Sequence, residues 1–231
     1  MVTLVDVFYP SGDGEPVAES YLHFYVLALT FVVLQQYLAG QRATVLANQF
    51  LYYTQGIRDD RVAPDVMVIF DIEPGGRDSY KLWEEKQVPA VVFEMTSKRT
   101  EKQDRQFKKD LYERLGVQEY WLFDPKGEWI AGRLLGYRLG SDAAAGGRAV
   151  YHPIDDAVSE QLGLQLVVED SALRFVRLDT GEKLPIPVEL LEQLAEARHR
   201  AEQAERQMEW ERQRAQRLAE RLRALGIDPD V

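Results

Sequence analysis

Two short apolar runs, each flanked by an acid, constrain this chain more than any other stretch. Pro64-Asp65 opens Val66-Met67-Val68-Ile69-Phe70, and Ala90-Val91-Val92-Phe93 leads into Glu94-Met95-Thr96-Ser97. Short runs of this composition read as β-strands. If the two pair antiparallel, the start of the first lies beside the end of the second, and Asp65 and Glu94 approach each other at one edge of a sheet. Two carboxylates brought together out of water repel each other, so such a pair raises a pKa or recruits a cation. A hard divalent metal is the natural partner.

The flanking segments supply the rest of an α/β unit. A helix is predicted from Ser20, with Tyr21, Phe24, Leu27, Phe31, Leu34 and Leu38 on a broad apolar face and Gly40 near its end. Residues 43–53 are rich in strand formers and feed the Asp65 strand. The connection over 71–89, with Glu73-Pro74-Gly75-Gly76, is long for a hairpin. A helix is expected over Glu101 to Leu115, stopped by Gly116, with Thr100 and Gln103 spaced as a capping box. Its Phe107, Leu111 and Leu115 are expected to pack on the sheet, and Asp104, Lys108 and Tyr112 to run along the border of that face. Val117 to Asp124 is the next strand, closed by Pro125-Lys126-Gly127. The order strand, strand, helix, strand predicts a mixed sheet flanked by helices. Short strands after residue 130 extend one edge of that sheet or form a small antiparallel flap.

Composition narrows the chemistry. The 231 residues include no Cys and three His, which excludes disulfides and thiolate sites and disfavours zinc, so a metal site must use oxygen ligands. The start lacks the basic and small-residue pattern of a signal peptide, which makes cytoplasmic residence the expectation. The longest apolar run, Phe24 to Leu34, has 11 residues, against about 20 for a membrane span. The formal net charge of −10 is unlike that of proteins that hold duplex DNA through phosphates, so such binding needs a local basic patch. Lys98, Arg99, Lys102, Arg105, Lys108, Lys109 and Arg114 form the best candidate, or else, with four acids interspersed, a solvated helix face.

After Pro185-Ile186-Pro187 a long helix is expected. Leu190, Leu194, Ala197, Ala201, Ala204, Met208, Glu211, Ala215, Leu218, Leu222 and Leu225 are spaced in alternating steps of four and three, a heptad seam. It is strong at both ends and weak in the middle. A domain over 1–187 and a C-terminal coiled-coil helix over 188–231 are therefore expected, with a homo-oligomer formed through that helix.

Phosphodiester hydrolysis needs an activated water, neutralised charge at phosphorus and help for the leaving oxygen, and divalent ions held by carboxylates supply all three. Asp65 and Glu94 would bind Mg²⁺, with Mn²⁺ as an alternative, and the backbone carbonyl of Met95 would be a third ligand. Pro64-Asp65 and then Glu94-Met95-Thr96 resemble the PD-(D/E)XK nuclease signature. The wider set, Val92-Phe93-Glu94-Met95-Thr96-Ser97, Asp104, Lys108, Tyr112, Gly116-Val117, Glu119-Tyr120-Trp121 and Asp124-Pro125, resembles the Uma-type family, a group assigned to the restriction endonucleases, over roughly residues 15–140. The resemblance implies a restriction-endonuclease-like fold and metal-dependent cleavage of nucleic acid, DNA first.

Thr96 stands where the signature has a lysine. Lys108 matches the family's helical lysine and is the expected substitute, with Lys98 next. Glu19 matches a metal-holding acid of the first helix, and His23 matches a recurrent position without an assigned role. Each has a plainer alternative: Asp65 ends a turn, Lys108 pairs with Asp104, and Glu19 complements a helix start. The rival function is a catalytically silent nuclease-like scaffold that assembles through the coiled coil.

Overall fold

The computed structural model describes residues 7–12, 20–142 and 147–225, and in it the two acid-bearing runs are neighbouring inner strands of a six-stranded sheet. In chain order the elements are α1 (Tyr21–Tyr37), β1 (Ala43–Ala47), β2 (Leu51–Tyr52), β3 (Arg61–Val62), β4 (Val66–Phe70), β5 (Tyr80–Lys81), α2 (Leu82–Glu85) and β6 (Val91–Met95). A π-helical segment, Gln103–Lys108, then runs into α3 (Lys109–Leu115). Beyond it come β7 (Glu119–Phe123), β8 (Leu134–Asp142), β9 (Arg148–Ile154), β10 (Val158–Ser159), β11 (Leu164–Glu169), β12 (Ala172–Arg177) and α4 (Pro187–Ala224). The chain divides into one compact unit up to Leu184 and a second from Pro185.

The main sheet has the order β1-β4-β6-β7-β8-β9, and β6–β7 is its one parallel pair. The expected α/β class with a mixed sheet and flanking helices is the one found. The late strands do both things the sequence allowed: β8 and β9 extend the sheet, while β10, β11 and β12 form a separate antiparallel sheet. The expected strand over 43–53 is two strands, because Asn48 adopts a positive φ of 50° and turns the chain between β1 and β2.

Alternation along the strands sorts the core into two layers. Met67, Ile69, Val92, Tyr120 and Leu122 point to one face and cluster with Leu111 and Tyr112 of α3. On the other face lie α1 and β12, where Phe93 and Phe175 meet edge to face with ring centroids 6.0 Å apart. Trp121 also sits opposite Gly136 across β7–β8, and a Cβ at 136 would stand 2.3 Å from the indole. Only glycine permits that approach.

The helix after β6 departs from expectation in phase. The helix begins at Glu101, directly after Thr100 as expected, and a turn precedes it in which Ser97 donates its N–H to the Thr100 hydroxyl at 3.1 Å and its carbonyl accepts the N–H of Glu101. The π-helical turn then adds a residue, and in a helix of 3.6 residues per turn one extra residue rotates the turns on its two sides by about 100° relative to each other. Phe107 is therefore 46% exposed, while Asp104 (1%) and Lys108 (8%) turn inward beside Tyr112 (0%). The polar row expected at the border is buried.

Candidate active site

Glu94 is two residues beyond Val92 and so shares the face covered by α3. There its carboxylate, 1% exposed, accepts from Lys108 Nζ at Oε2 (2.7 Å) and from the Tyr112 hydroxyl at Oε1 (3.0 Å). The same ammonium lies 3.1 Å from Asp104 Oδ1, without the alignment of a hydrogen bond. One cation is thus wedged between two buried carboxylates.

Asp65 precedes β4, and since Val66 pairs with Phe93 the antiparallel register sets Asp65 beside Glu94. Asp65 Oδ2 accepts the N–H of Met95 at 2.6 Å, and Oδ1 lies 3.6 Å from Nε2 of His23 on α1. Ser20 caps α1 by accepting the His23 N–H at 3.3 Å, which anchors the helix start next to Asp65. The next residue along β6, Thr96, donates its N–H to Phe123 of β7. Backbone polar groups alternate flanks along a strand, so Met95 turns its N–H and its carbonyl toward the Asp65 side.

Burial dominates the electrostatics. It raises the Glu94 carboxyl well above its usual range; Lys108 opposes the shift, and the negative charges of Asp65 and Asp104 add to it. Burial likewise raises Asp104, against the pull of Lys108. For Lys108 burial works against the charge, but Glu94, Asp104 and Asp65 outweigh it and hold the ammonium protonated. Burial and Glu94 together raise Tyr112, which stays a neutral hydrogen-bond donor.

These groups reach a cleft of about 620 Å³ whose wall includes His23, Asp65, Glu94, Thr96 and Lys108. The loop after β7 supplies Lys126, Glu128 and Trp129 to the same wall. Asp124 shapes that loop, accepting backbone N–H groups from Lys126, Gly127, Trp129 and Ile130. Burial alone would raise its carboxyl, but these four donors prevail and hold it below the usual range.

The structure therefore brings together Asp65, Glu94, Met95 and Lys108, with His23 against Asp65. Glu19 lies outside the described residues. Asp104 and Tyr112 emerge as partners of the central lysine and acid; the i,i+4 row was the signal that pointed to them. Among the described residues no group of three or more His, Asp or Glu is arranged to hold a metal through side chains alone. The oxygen set of Asp65, Glu94 and the Met95 carbonyl nevertheless fits a hard divalent cation, because it offers two adjacent acids and no soft ligand.

A mixed sheet flanked by helices, with this acid pair at a strand edge, is a restriction-endonuclease-like α/β architecture. The family model Uma2, described as "Putative restriction endonuclease", matches residues 7–171, and the chain belongs to that family. A solved structure from Anabaena variabilis, described as a putative nuclease belonging to DUF820, is similar at 15% identity and a TM-score of 0.43, covering 70% of this chain and 82% of that one. No curated protein matches the chain. No helix among the described residues is long and apolar enough to cross a membrane.

Proposed function

We propose that this chain is a divalent-metal-dependent endonuclease that hydrolyses phosphodiester bonds in nucleic acid, with DNA as the substrate. The observation that carries the reading is the meeting of Asp65 and Glu94 across antiparallel strand ends on a cleft wall, with Lys108 2.7 Å from Glu94. In this reading the two carboxylates and the Met95 carbonyl hold Mg²⁺ or Mn²⁺, and Glu19 is a further acid of the site. A divalent ion bound there supplies an activated water and offsets charge at phosphorus.

The chain's own groups do the rest. Lys108 is held protonated by its carboxylates, so it donates hydrogen bonds to the attacking water and to the charge that develops on the phosphoryl oxygens. It does not act as the base. Tyr112 fixes the orientation of Glu94 through Oε1. Glu94 must lose its proton to serve as a ligand, so metal affinity rises with pH.

Cleavage of plasmid DNA with Mg²⁺ or Mn²⁺ tests the reading. Asp65→Ala and Glu94→Ala should each abolish cleavage and metal binding by calorimetry while leaving the circular dichroism of the fold unchanged. Persistent cleavage in both variants sinks it. One observation favours the silent scaffold instead: both Glu94 oxygens already accept protein hydrogen bonds, and Thr96 replaces the strand lysine. A wild type that binds no metal and cleaves no nucleic acid would establish that alternative.

In either case α4 is proposed to pair with α4 of a second copy. A parallel pairing sets Arg200 and Glu205 at flanking positions of successive heptads, where opposite charges attract across the seam.

A further inference from the structure

The parallel pair β6–β7 sends two loops out of the sheet side by side. Met95 is paired with Phe123, so the loop that carries Thr96 and Lys98 and the loop that carries Asp124 and Lys126 leave the sheet from adjacent strand ends. The carboxyl ends of parallel strands are where open α/β sheets hold ligands, because the diverging loops leave a crevice there. Both loops line the cleft.

Four bases line this wall: Lys98, Arg99, Lys108 and Lys126. Lys108 is neutralised by Glu94 and Asp104. Lys98, Arg99 and Lys126 are exposed, and no ion pair with a carboxylate of the described residues holds them, although Glu128 shares the wall. A chain of net charge −10 thus gathers at one cleft three cations that no carboxylate of the described residues pairs with. A second, independent observation lies between them. Thr96, 2% exposed and part of the wall, has a hydroxyl without a hydrogen-bond partner among the described residues. A buried polar group is ordinarily satisfied, and an unsatisfied one next to a cleft marks a place a ligand oxygen can fill.

We infer that Lys98, Arg99 and Lys126, with the Thr96 hydroxyl, form a subsite for a backbone phosphate of the nucleic acid adjoining the one cleaved at Asp65 and Glu94. The subsite deepens the proposed nuclease reading, since it places the substrate strand along the ends of β6 and β7. It works by charge and one neutral hydrogen bond, so it reads no base.

The test is binding without catalysis: fluorescence anisotropy of a fluorescein-labelled 20-mer, as duplex and as single strand, titrated with the full-length protein in EDTA over a series of KCl concentrations. Each phosphate contact by a cation contributes about 0.9 to the slope of log K against log salt on duplex DNA. Because the three cations share one phosphate, the triple variant Lys98→Ala/Arg99→Ala/Lys126→Ala should lower the slope by about one, and each single variant by less. Thr96→Val should weaken binding about 2- to 10-fold with the slope unchanged. The double variant Lys86→Ala/Arg148→Ala, which removes bases away from the cleft, should match the wild type. An unchanged slope in the triple variant, or a wild type that binds neither probe, overturns the inference. Binding with the expected slopes but no cleavage in Mg²⁺ keeps the subsite and removes the nuclease reading. Cleavage with unchanged slopes does the reverse.

Discussion

Lys108 Nζ stands 2.7 Å from Glu94 Oε2 and 3.1 Å from Asp104 Oδ1, so a single buried ammonium compensates two buried acids. Removing one partner of a buried ion pair leaves the other charge unpaired in a poor solvent for it, and that costs about 3–5 kcal/mol. Lys108→Met should lose stability on that scale in urea titration above pH 8, where Glu94 is ionised. Glu94→Gln removes the acid side. Because the two residues touch, Lys108→Met/Glu94→Gln should lose about 0.5–3 kcal/mol less than the sum of the single variants. Additive losses would mean that the ammonium answers chiefly to Asp104.

The raised acid sets the pH dependence. Burial lifts the Glu94 carboxyl from 4.5 to about 8, with Lys108 opposing and Asp65 and Asp104 adding. Between those values the unfolded chain has lost a proton that the folded chain retains, so the folded state binds more protons and stability falls as pH rises. Asp104 acts in the same direction, whereas the lowered Asp124 withdraws stability only on acidification. Chemical denaturation from pH 5 to 8 should show the wild type declining and Glu94→Gln declining less. Saturating Mg²⁺ should flatten the wild-type curve, since it displaces the same proton.

Much of this site is legible in the sequence, and the reasons are local. Asp65 and Glu94 lie at the ends of strongly apolar runs, and once those runs pair antiparallel their juxtaposition is dictated by register. Lys108 is half legible. Its i,i+4 spacing from Asp104 marks an ion pair, but spacing alone does not say whether a row faces water or the core, and the π-helical turn that settles it has no periodic signature. Pairing of Asp104 and Glu94 with one cation needs the sheet and the helix together. Glu119 is visible only as part of a motif, because its partners lie 19 residues or more further along the chain apart from Trp121.

Glu119 makes a separable prediction. Fully buried on β7, its carboxylate accepts from Trp121 Nε1 (3.3 Å), Arg138 Nε (3.3 Å), the Ser159 hydroxyl and the N–H groups of Glu160 (2.8 Å) and Gln161 (3.2 Å). These bonds tie the β10–β12 sheet to the main one. Glu119→Gln replaces an acceptor oxygen by an amide that faces donors, so buried groups go unsatisfied, at about 1–3 kcal/mol. Hydrogen exchange should quicken in β10, β11 and β12 while β4 and β6 stay protected. Equal acceleration in both sheets would show that they unfold as one unit.

The long C-terminal helix sets the last test. None of the 38 residues of α4 is buried, and Leu194, Met208, Leu218 and Leu225 are 49%, 62%, 52% and 74% exposed. Helices of ordinary length are stabilised by packing an apolar face, and this one exposes its seam over about 57 Å at 1.5 Å per residue. A second copy would cover it. Leu218→Glu removes two buried leucines per dimer, about 3–6 kcal/mol, which raises the dissociation constant by roughly two to four orders of magnitude. Sedimentation equilibrium should find a dimer for the wild type and a monomer for the variant. Because Leu218 is remote in sequence from Asp65, Glu94 and Lys108, metal binding per chain should be the same in both. An oligomeric mass that Leu218→Glu leaves unaltered rules out the seam as the interface.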